Sequence, residues 1–239
     1  MIEELVPAGV AVAESFELRL DVELFPAEQA AIAAAVPKRR GEFTTARFCC
    51  RQALARLGVP PVAVVPGARG APGWPPGIAG SITHCGGYAA CAVARTSEVL
   101  SIGIDAEPND PLPVGVLKLV ASPQEIADIA RRRAAEPSVA WDRLLFSVKE
   151  SVYKTWFPLT GTWLDFGEAT VTIAEPVTMP STTAADQRAG ETVRCAGTFE
   201  ARLLVPGPIV AGRGLVGFTG RWLARDGFLA TAITLPAAD

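Results

Sequence analysis

Apolar and polar positions alternate along this chain with two different periods, and the switches between them mark its elements. In residues 99–107 the period is two: Leu100, Ile102, Ile104 and Ala106 fall on one side, and Ser101, Gly103, Asp105 and Glu107 on the other. That is a strand with one buried face. Residues 78–83 and 88–95 read as two more strands, joined by a tight turn at His84-Cys85-Gly86-Gly87. Helical spacing takes over in residues 42–57, where Phe43, Cys50, Leu54 and Leu57 share a face and Gly58 stands ready to end the helix. Arg40, Arg47 and Arg51 line one edge of that face, with Arg39 just ahead of it. The clearest helix is 141–156, in which Trp141, Leu144, Leu145, Val148, Val152 and Trp156 form one stripe. Another helix is expected from Ser122 or Pro123, after a short apolar stretch at 114–120. Residues 167–173, 191–204, 213–223 and 228–235 read as antiparallel strands, and polar residues 181–190 as a loop.

The breaks are as informative as the elements. The chain has 22 glycines and 20 prolines in 239 residues, so many short connections are expected. Residues 65–80 are too rich in both for regular structure, and 108–113 reads as a junction. The expected division is an N-terminal half, 1–108, and a C-terminal half, 109–239, acting as one functional unit.

Composition narrows the function classes. With 49% hydrophobic and 20% charged residues the chain can bury a sizeable core. No apolar run approaches the ~20 residues a spanning helix needs, and no secretory signal is visible, so a cytoplasmic protein without membrane contact is expected. Five cysteines are an odd number without C-x-x-C spacing, which argues against both a disulfide frame and a structural zinc site. His84 is the single histidine, which excludes a multi-histidine zinc centre. A net charge of −3 gives no general affinity for nucleic acid. Cys85 beside His84 lacks a third group to orient a Cys–His nucleophile.

The candidate chemistry lies in carboxylates. Asp105 and Glu107 leave the same face of their strand, and such a pair repels unless a cation sits between them. A bare D-x-E is usually two solvated residues. On the later helix, however, Glu150 falls opposite the centre of the apolar stripe, with Arg143, Ser147 and Lys154 nearby. Three carboxylates with flanking lysines suit a metal-bound diphosphate, the carboxylates holding Mg²⁺ and the lysines meeting phosphate oxygens.

These residues resemble the paired signature of the 4′-phosphopantetheinyl transferases, in the Sfp-type group with its actinobacterial members. GIDAE (103–107) is followed roughly forty residues later by FSVKESVYK (146–154). KRRGEF (38–43), RGAPGWPPG (69–77), GSITHCGGY (80–88) and WFPLTGTWLDF (156–166) agree in the same order. The resemblance implies an α+β fold of two pseudo-symmetric α/β subdomains, each a small antiparallel sheet with a packed helix. It implies Mg²⁺-dependent (or Mn²⁺-dependent) transfer of the phosphopantetheine arm from coenzyme A to a serine of an apo acyl or peptidyl carrier protein, releasing 3′,5′-ADP.

Residue by residue, it implies that Asp105 and Glu107 bind the metal. Glu150 corresponds to a carboxylate that is a metal ligand in some members and a general base in others. Lys154 corresponds to the catalytic lysine near the diphosphate and Lys149 to its neighbour. His84, beside Thr83, corresponds to the holder of the 3′-phosphate, and Arg39 and Arg47 to arginines that reach nucleotide phosphates. Arg69 stands where relatives often have lysine, Ala71 offers main-chain contacts only, and Gly70 and Pro72 complete that coenzyme A loop. The carrier is expected to dock through an acidic helix, with Val116 and Leu119 around Lys118 as its surface, on a monomeric enzyme. The rival readings are a metal-dependent phosphodiesterase, which the charge opposes, and a silent binding module, which the complete set of carboxylates and Lys154 opposes.

Overall fold

The computed structural model describes residues 1–179 and 194–237, so the expected loop at 181–190 lies outside the described residues. The chain opens on β1 (Ala11–Ser15), a short helix α1 (Pro26–Ala31) and a long helix α2 (Pro37–Arg56). A hairpin follows, β2 (Ile78–Cys85) and β3 (Tyr88–Arg95), then β4 (Val99–Pro108). Three helices come next: α3 (Leu117–Val120), α4 (Pro123–Ala135) and α5 (Trp141–Thr160). The rest is antiparallel: β5 (Ala169–Ile173), β6 (Val177–Met179), β7 (Arg194–Leu203), β8 (Ile209–Val210), β9 (Arg213–Gly214), β10 (Gly217–Arg225) and β11 (Phe228–Pro236).

Where these differ from the hydropathy pattern, local chemistry explains it. Helix α2 begins at Pro37 rather than at residue 42, since proline needs no N–H partner at the first helical position. Arg39 therefore lies within the helix. His84 and Cys85 are strand residues, not turn residues: Gly86 and Gly87, at φ 49° and 92°, make a two-residue hairpin loop alone. The expected strand at 213–223 is split into β9 and β10. Helix α1 escapes the pattern because it is short and held by Glu28, which accepts the Phe25 N–H at 3.1 Å.

Two antiparallel sheets result. The smaller runs β1-β3-β2; the larger runs β4-β11-β10-β7-β5, with β6 also on β7. Strand β4 is laddered to β11, Asp105 opposite Thr231. It thus belongs to the second sheet, and a division at 108 cuts in the wrong place: the sheets part between Arg95 and Val99. The elements stack as helix, sheet, sheet, helix. Cys49, Cys50, Ala53 and Leu54 of α2 pack on Ala89, Cys91 and Val93 of β3. The other face of β3, Tyr88, Ala90, Ala92 and Ala94, meets Ile102, Ile104, Ala106, Ala230 and Ala232 of the larger sheet. Helix α5 covers that sheet's far face, with Trp141 edge-on to Trp222 at 5.5 Å. The α+β class and its helix-backed sheets match the expectation, although the sheets are unequal.

The seat of α5 on β4 positions everything at the site. Along α5, Ser147, Ser151 and Thr155 form a second stripe beside the apolar one, and it lies over β4 and β11. Ser151 Oγ and Thr231 Oγ1 are 2.6 Å apart, Ser147 Oγ is 3.0 Å from the same hydroxyl, and Ser101 Oγ donates to the Thr155 carbonyl at 2.8 Å. At the closest point stands Gly103, where an added Cβ would lie 2.0 Å from the Ser151 carbonyl oxygen. Gly103→Ala is expected to lift α5 and cost about 3 kcal/mol, at the upper end of overpacking penalties. In a chain of this size that lowers Tm by roughly 6–12 °C, read by thermal unfolding monitored by circular dichroism. An unchanged Tm would show that α5 is not seated here.

Candidate active site

A cavity of about 500 Å³ opens where the edges of the two sheets meet. The start of α2 and the 66–72 loop form one wall; Asp105 of β4 with Glu150, Tyr153 and Lys154 of α5 forms the other. Thr83 and His84, at the end of β2, lie between them.

The acidic wall follows from the strand period and the seat of α5. Asp105 shares the face of Gly103, so it looks towards α5, and Lys154 Nζ donates to Asp105 Oδ1 at 2.7 Å and to the Ile104 carbonyl at 3.1 Å. Asp105 Oδ2 is buried and has no hydrogen-bond partner among the described residues. Glu150 lies one turn before Lys154; burial pushes its carboxyl up, Lys154 opposes that and the Asp105 charge adds to it. Glu107 does not line the cavity. Its Oε2 accepts from Arg143 Nη1 at 3.0 Å, and Arg143 also donates to the Asp110 carbonyl at 3.1 Å and the Pro111 carbonyl at 3.0 Å. Burial and then the Asp105 charge push the Glu107 carboxyl up as well, against the pull of Arg143.

Among the described residues no three His, Cys, Asp or Glu side chains are gathered into a ready metal cluster. The donor chemistry nonetheless suits a hard divalent cation. The oxygens are all carboxylate, one of them is an orphaned buried atom, and each neighbouring carboxyl is disfavoured as an anion by Asp105. Asp105 and Glu150 face the cavity, and Glu107 reaches it only by leaving Arg143.

The opposite wall is cationic. Arg39 Nη1 lies 2.6 Å from His84 Nε2, and Glu42 Oε2 lies 3.7 Å from His84 Nδ1. Because arginine only donates, Nε2 is the acceptor and the ring proton sits on Nδ1, beside Glu42. Burial and then the Arg39 charge hold the imidazole below its ordinary value. Arg47 is buried, its guanidinium 3.9 Å from the Phe43 ring centroid and its Nε donating to the Val64 carbonyl at 2.5 Å. Its setting depends on Glu28, 1% exposed, which also accepts the Val64 N–H at 3.0 Å and Arg51 Nη2 at 2.6 Å.

In the loop, Gly70, Ala71 and Pro72 line the cavity, and the loop is closed on itself by the Gly67 N–H to the Ala71 carbonyl at 2.7 Å. Arg69 crosses to the other half, 5.3 Å above the Trp163 ring, which in turn packs 4.9 Å from Tyr153. A smaller pocket of about 80 Å³ shares Glu150 and Tyr153 with the main one and reaches Trp163, Leu164 and Phe166.

The structure thus brings Arg39, Arg47, Arg69, Gly70, Ala71, Pro72, Thr83, His84, Asp105, Glu150 and Lys154 to one cavity. Lys149 is a correction. Its buried ammonium donates to the Val120 carbonyl at 2.7 Å, the Phe166 carbonyl at 2.9 Å and Glu125 Oε2 at 3.0 Å, so it has no donor left for a nucleotide. Cys85 is inert, its thiol pushed up to about 12 by burial and by Glu107 and Asp105. Sequence reasoning missed Glu28 and Glu125, both buried hubs, and gave Arg143 no role. The Ser-x-x-Glu box at Ser122–Glu125 was the one available signal, and it announces a helix start rather than a partner for Lys149.

Residues 27–94 match the family model of the 4′-phosphopantetheinyl transferase N-terminal domain, and residues 101–194 that of the 4′-phosphopantetheinyl transferase superfamily. The two matches meet where the sheets part. Over 99% of its length the chain is 50% identical to 90% of the 4′-phosphopantetheinyl transferase Svp of Streptomyces mobaraensis. It is 47% identical to Npt of Nocardia iowensis, over 98% of this chain and 99% of that one. It is 41% identical to PptT of Mycobacterium tuberculosis, over 98% of both. With its acidic strand end, its lysine-bearing helix and its cationic wall around one cavity, the chain belongs to the 4′-phosphopantetheinyl transferases, the enzymes that move the phosphopantetheine arm of coenzyme A onto carrier proteins.

Proposed function

We propose that coenzyme A lies across the cavity with its 3′-phosphate on His84, Arg39 and Arg47 and its diphosphate towards Lys154. The observation that carries this reading is the segregation of charge. Arginines and the histidine occupy one wall, and Asp105, with an unpartnered Oδ2, stands on the other beside Lys154. Arginine forks suit phosphate oxygens. The loop at Arg69–Pro72 borders the nucleotide, and the aromatic pocket around Tyr153, Trp163 and Phe166 suits the pantetheine chain.

Asp105 and Glu150 would hold a Mg²⁺ or Mn²⁺ ion, with Glu107 joining them on release from Arg143. Such an ion supplies neutralisation of diphosphate charge. Lys154 neutralises phosphate oxygens as the serine oxygen of the carrier bonds to the β-phosphorus. The bond from that phosphorus to the bridging oxygen breaks, and 3′,5′-ADP leaves with the electron pair. The serine proton passes to Glu150, which faces the cavity. Positioning and electrostatics do the work, with no covalent enzyme intermediate.

The carrier docks on α3. Leu117 and Val120 turn into the core, while Leu119 is 79% exposed, Lys118 is exposed and Val116 is half-buried. This small apolar patch with one positive charge fits an acidic amphipathic helix. The enzyme acts as a cytoplasmic monomer, and no helix among the described residues is long and apolar enough to cross a membrane.

The direct test is incubation with coenzyme A, Mg²⁺ and apo carrier domains, read by intact-protein mass. A gain of one phosphopantetheine is expected, and no gain on fatty-acid, polyketide or peptide carriers overturns the assignment. His84→Ala should weaken coenzyme A by roughly 10-fold or more, the size of a lost charge-assisted hydrogen bond, and leave 3′-dephospho-coenzyme A nearly unaffected. Equal losses would place His84 elsewhere.

Because His84 is the only histidine, a proton NMR titration reports on it alone. It should titrate below ~6.5 in the free protein, move up in Arg39→Ala, and move up when coenzyme A binds. Affinity should therefore decline as pH rises past the histidine pKa of the complex. Leu119→Asp or Val116→Asp should raise the carrier KM and leave the coenzyme A KM unchanged, as steady-state kinetics with each substrate varied will show.

A further inference from the structure

Strand β4 is paired with β11 along one edge, yet its other edge faces β2 without a ladder. Two hydroxyls of β2 stand in for the absent carbonyls. Ser81 Oγ accepts the Ile104 N–H at 3.0 Å, and Thr83 Oγ1 accepts the Ala106 N–H at 2.9 Å. These are the residues immediately before and after Asp105, so β2 pins the backbone on both sides of that carboxylate. Both hydroxyls are buried.

A threonine hydroxyl has one proton and two lone pairs. With a lone pair committed to Ala106, the proton of Thr83 has Asp105 Oδ1 as its acceptor at 3.4 Å, a long contact to a charged group. Lys154 holds the same Oδ1 at 2.7 Å. Among the described residues both donors to the carboxylate thus converge on Oδ1, and Oδ2 is left buried without a partner. We propose that Thr83 is a positioning residue for Asp105: it fixes the strand and, with Lys154, decides which carboxylate oxygen is presented to a divalent cation, and it is not a ligand of the coenzyme A phosphate. This rests on the function proposed above and reassigns Thr83, which the sequence resemblance groups with the 3′-phosphate site.

The test separates metal from nucleotide. Mn²⁺ binding is followed by electron paramagnetic resonance, 3′,5′-ADP binding in the absence of metal by calorimetry, and transfer to a carrier domain by steady-state kinetics. Thr83→Val keeps the shape and removes the hydroxyl; Thr83→Ala, measured beside it, removes the hydroxyl without holding a second methyl against β4. Both are expected to weaken Mn²⁺ by roughly 10-fold, the scale of a hydrogen bond to a charged group, and to lower kcat, with metal-free 3′,5′-ADP affinity unchanged. Thr83→Ser should restore Mn²⁺ binding and kcat. Loss of metal-free 3′,5′-ADP affinity in either hydroxyl-free variant would make Thr83 a phosphate ligand and overturn the proposal, as would unchanged Mn²⁺ binding in both. Wild-type protein that binds 3′,5′-ADP and Mn²⁺ but transfers nothing would count against the proposed reaction alone.

Discussion

Helix α5 can lie directly on β4 because Gly103 leaves the Ser151 carbonyl room that any side chain would fill. That contact fixes the height and rotation of the helix, and the hydroxyls of Ser147, Ser151 and Thr231 fix its register along β11. One turn further on, Lys154 then reaches Asp105 and the carbonyl beside it. On the helix's other flank, the buried Lys149–Glu125 pair ties α5 to the start of α4, and through the Val171 N–H to β5. An ion pair so enclosed is weak evidence for stability but a good device for alignment. Here a mismatch of half a turn would swing Glu150 away from the cavity.

The cavity solves an electrostatic problem that net charge conceals. In the proposed binding mode a chain of charge −3 accepts a strongly anionic nucleotide by sorting its charges between two walls, one from α2 and the 66–72 loop and the other from β4 and α5. The cationic wall is prepared in advance: Arg47 is stacked on Phe43 and Arg39 rests on a neutral His84. The acidic wall is incompletely neutralised, since Lys154 serves one oxygen of Asp105 and the other has no partner among the described residues.

Much of this was legible in the sequence because period and chemistry coincide there. The alternation in β4 puts Gly103, Asp105 and Glu107 on one face, and the stripe of α5 leaves Glu150 and Lys154 off the core. The sequence is silent where a residue's role depends on tertiary partners. Lys149 follows the same helix as Lys154 and differs only in meeting Glu125, a residue in another helix. Thr83 sits beside His84 in one motif, yet its hydroxyl serves the neighbouring strand, and nothing in a linear pattern shows that β4 runs alongside β2. The assignment of β4 to the first half fails for a related reason. Chain proximity favours β3 as its partner, whereas β4 forms its ladder with β11, more than a hundred residues away.

Strand β3 has no solvent-facing side. Its alternate residues belong to two cores at once, Cys91 and Val93 to that beneath α2, and Ala90, Ala92 and Ala94 to that shared with the larger sheet. Alanines there bury the two sheets against each other in one shared core. The two halves of this chain are therefore not domains in the mechanical sense. Denaturation should proceed as one cooperative event, because neither sheet keeps a closed core without the other.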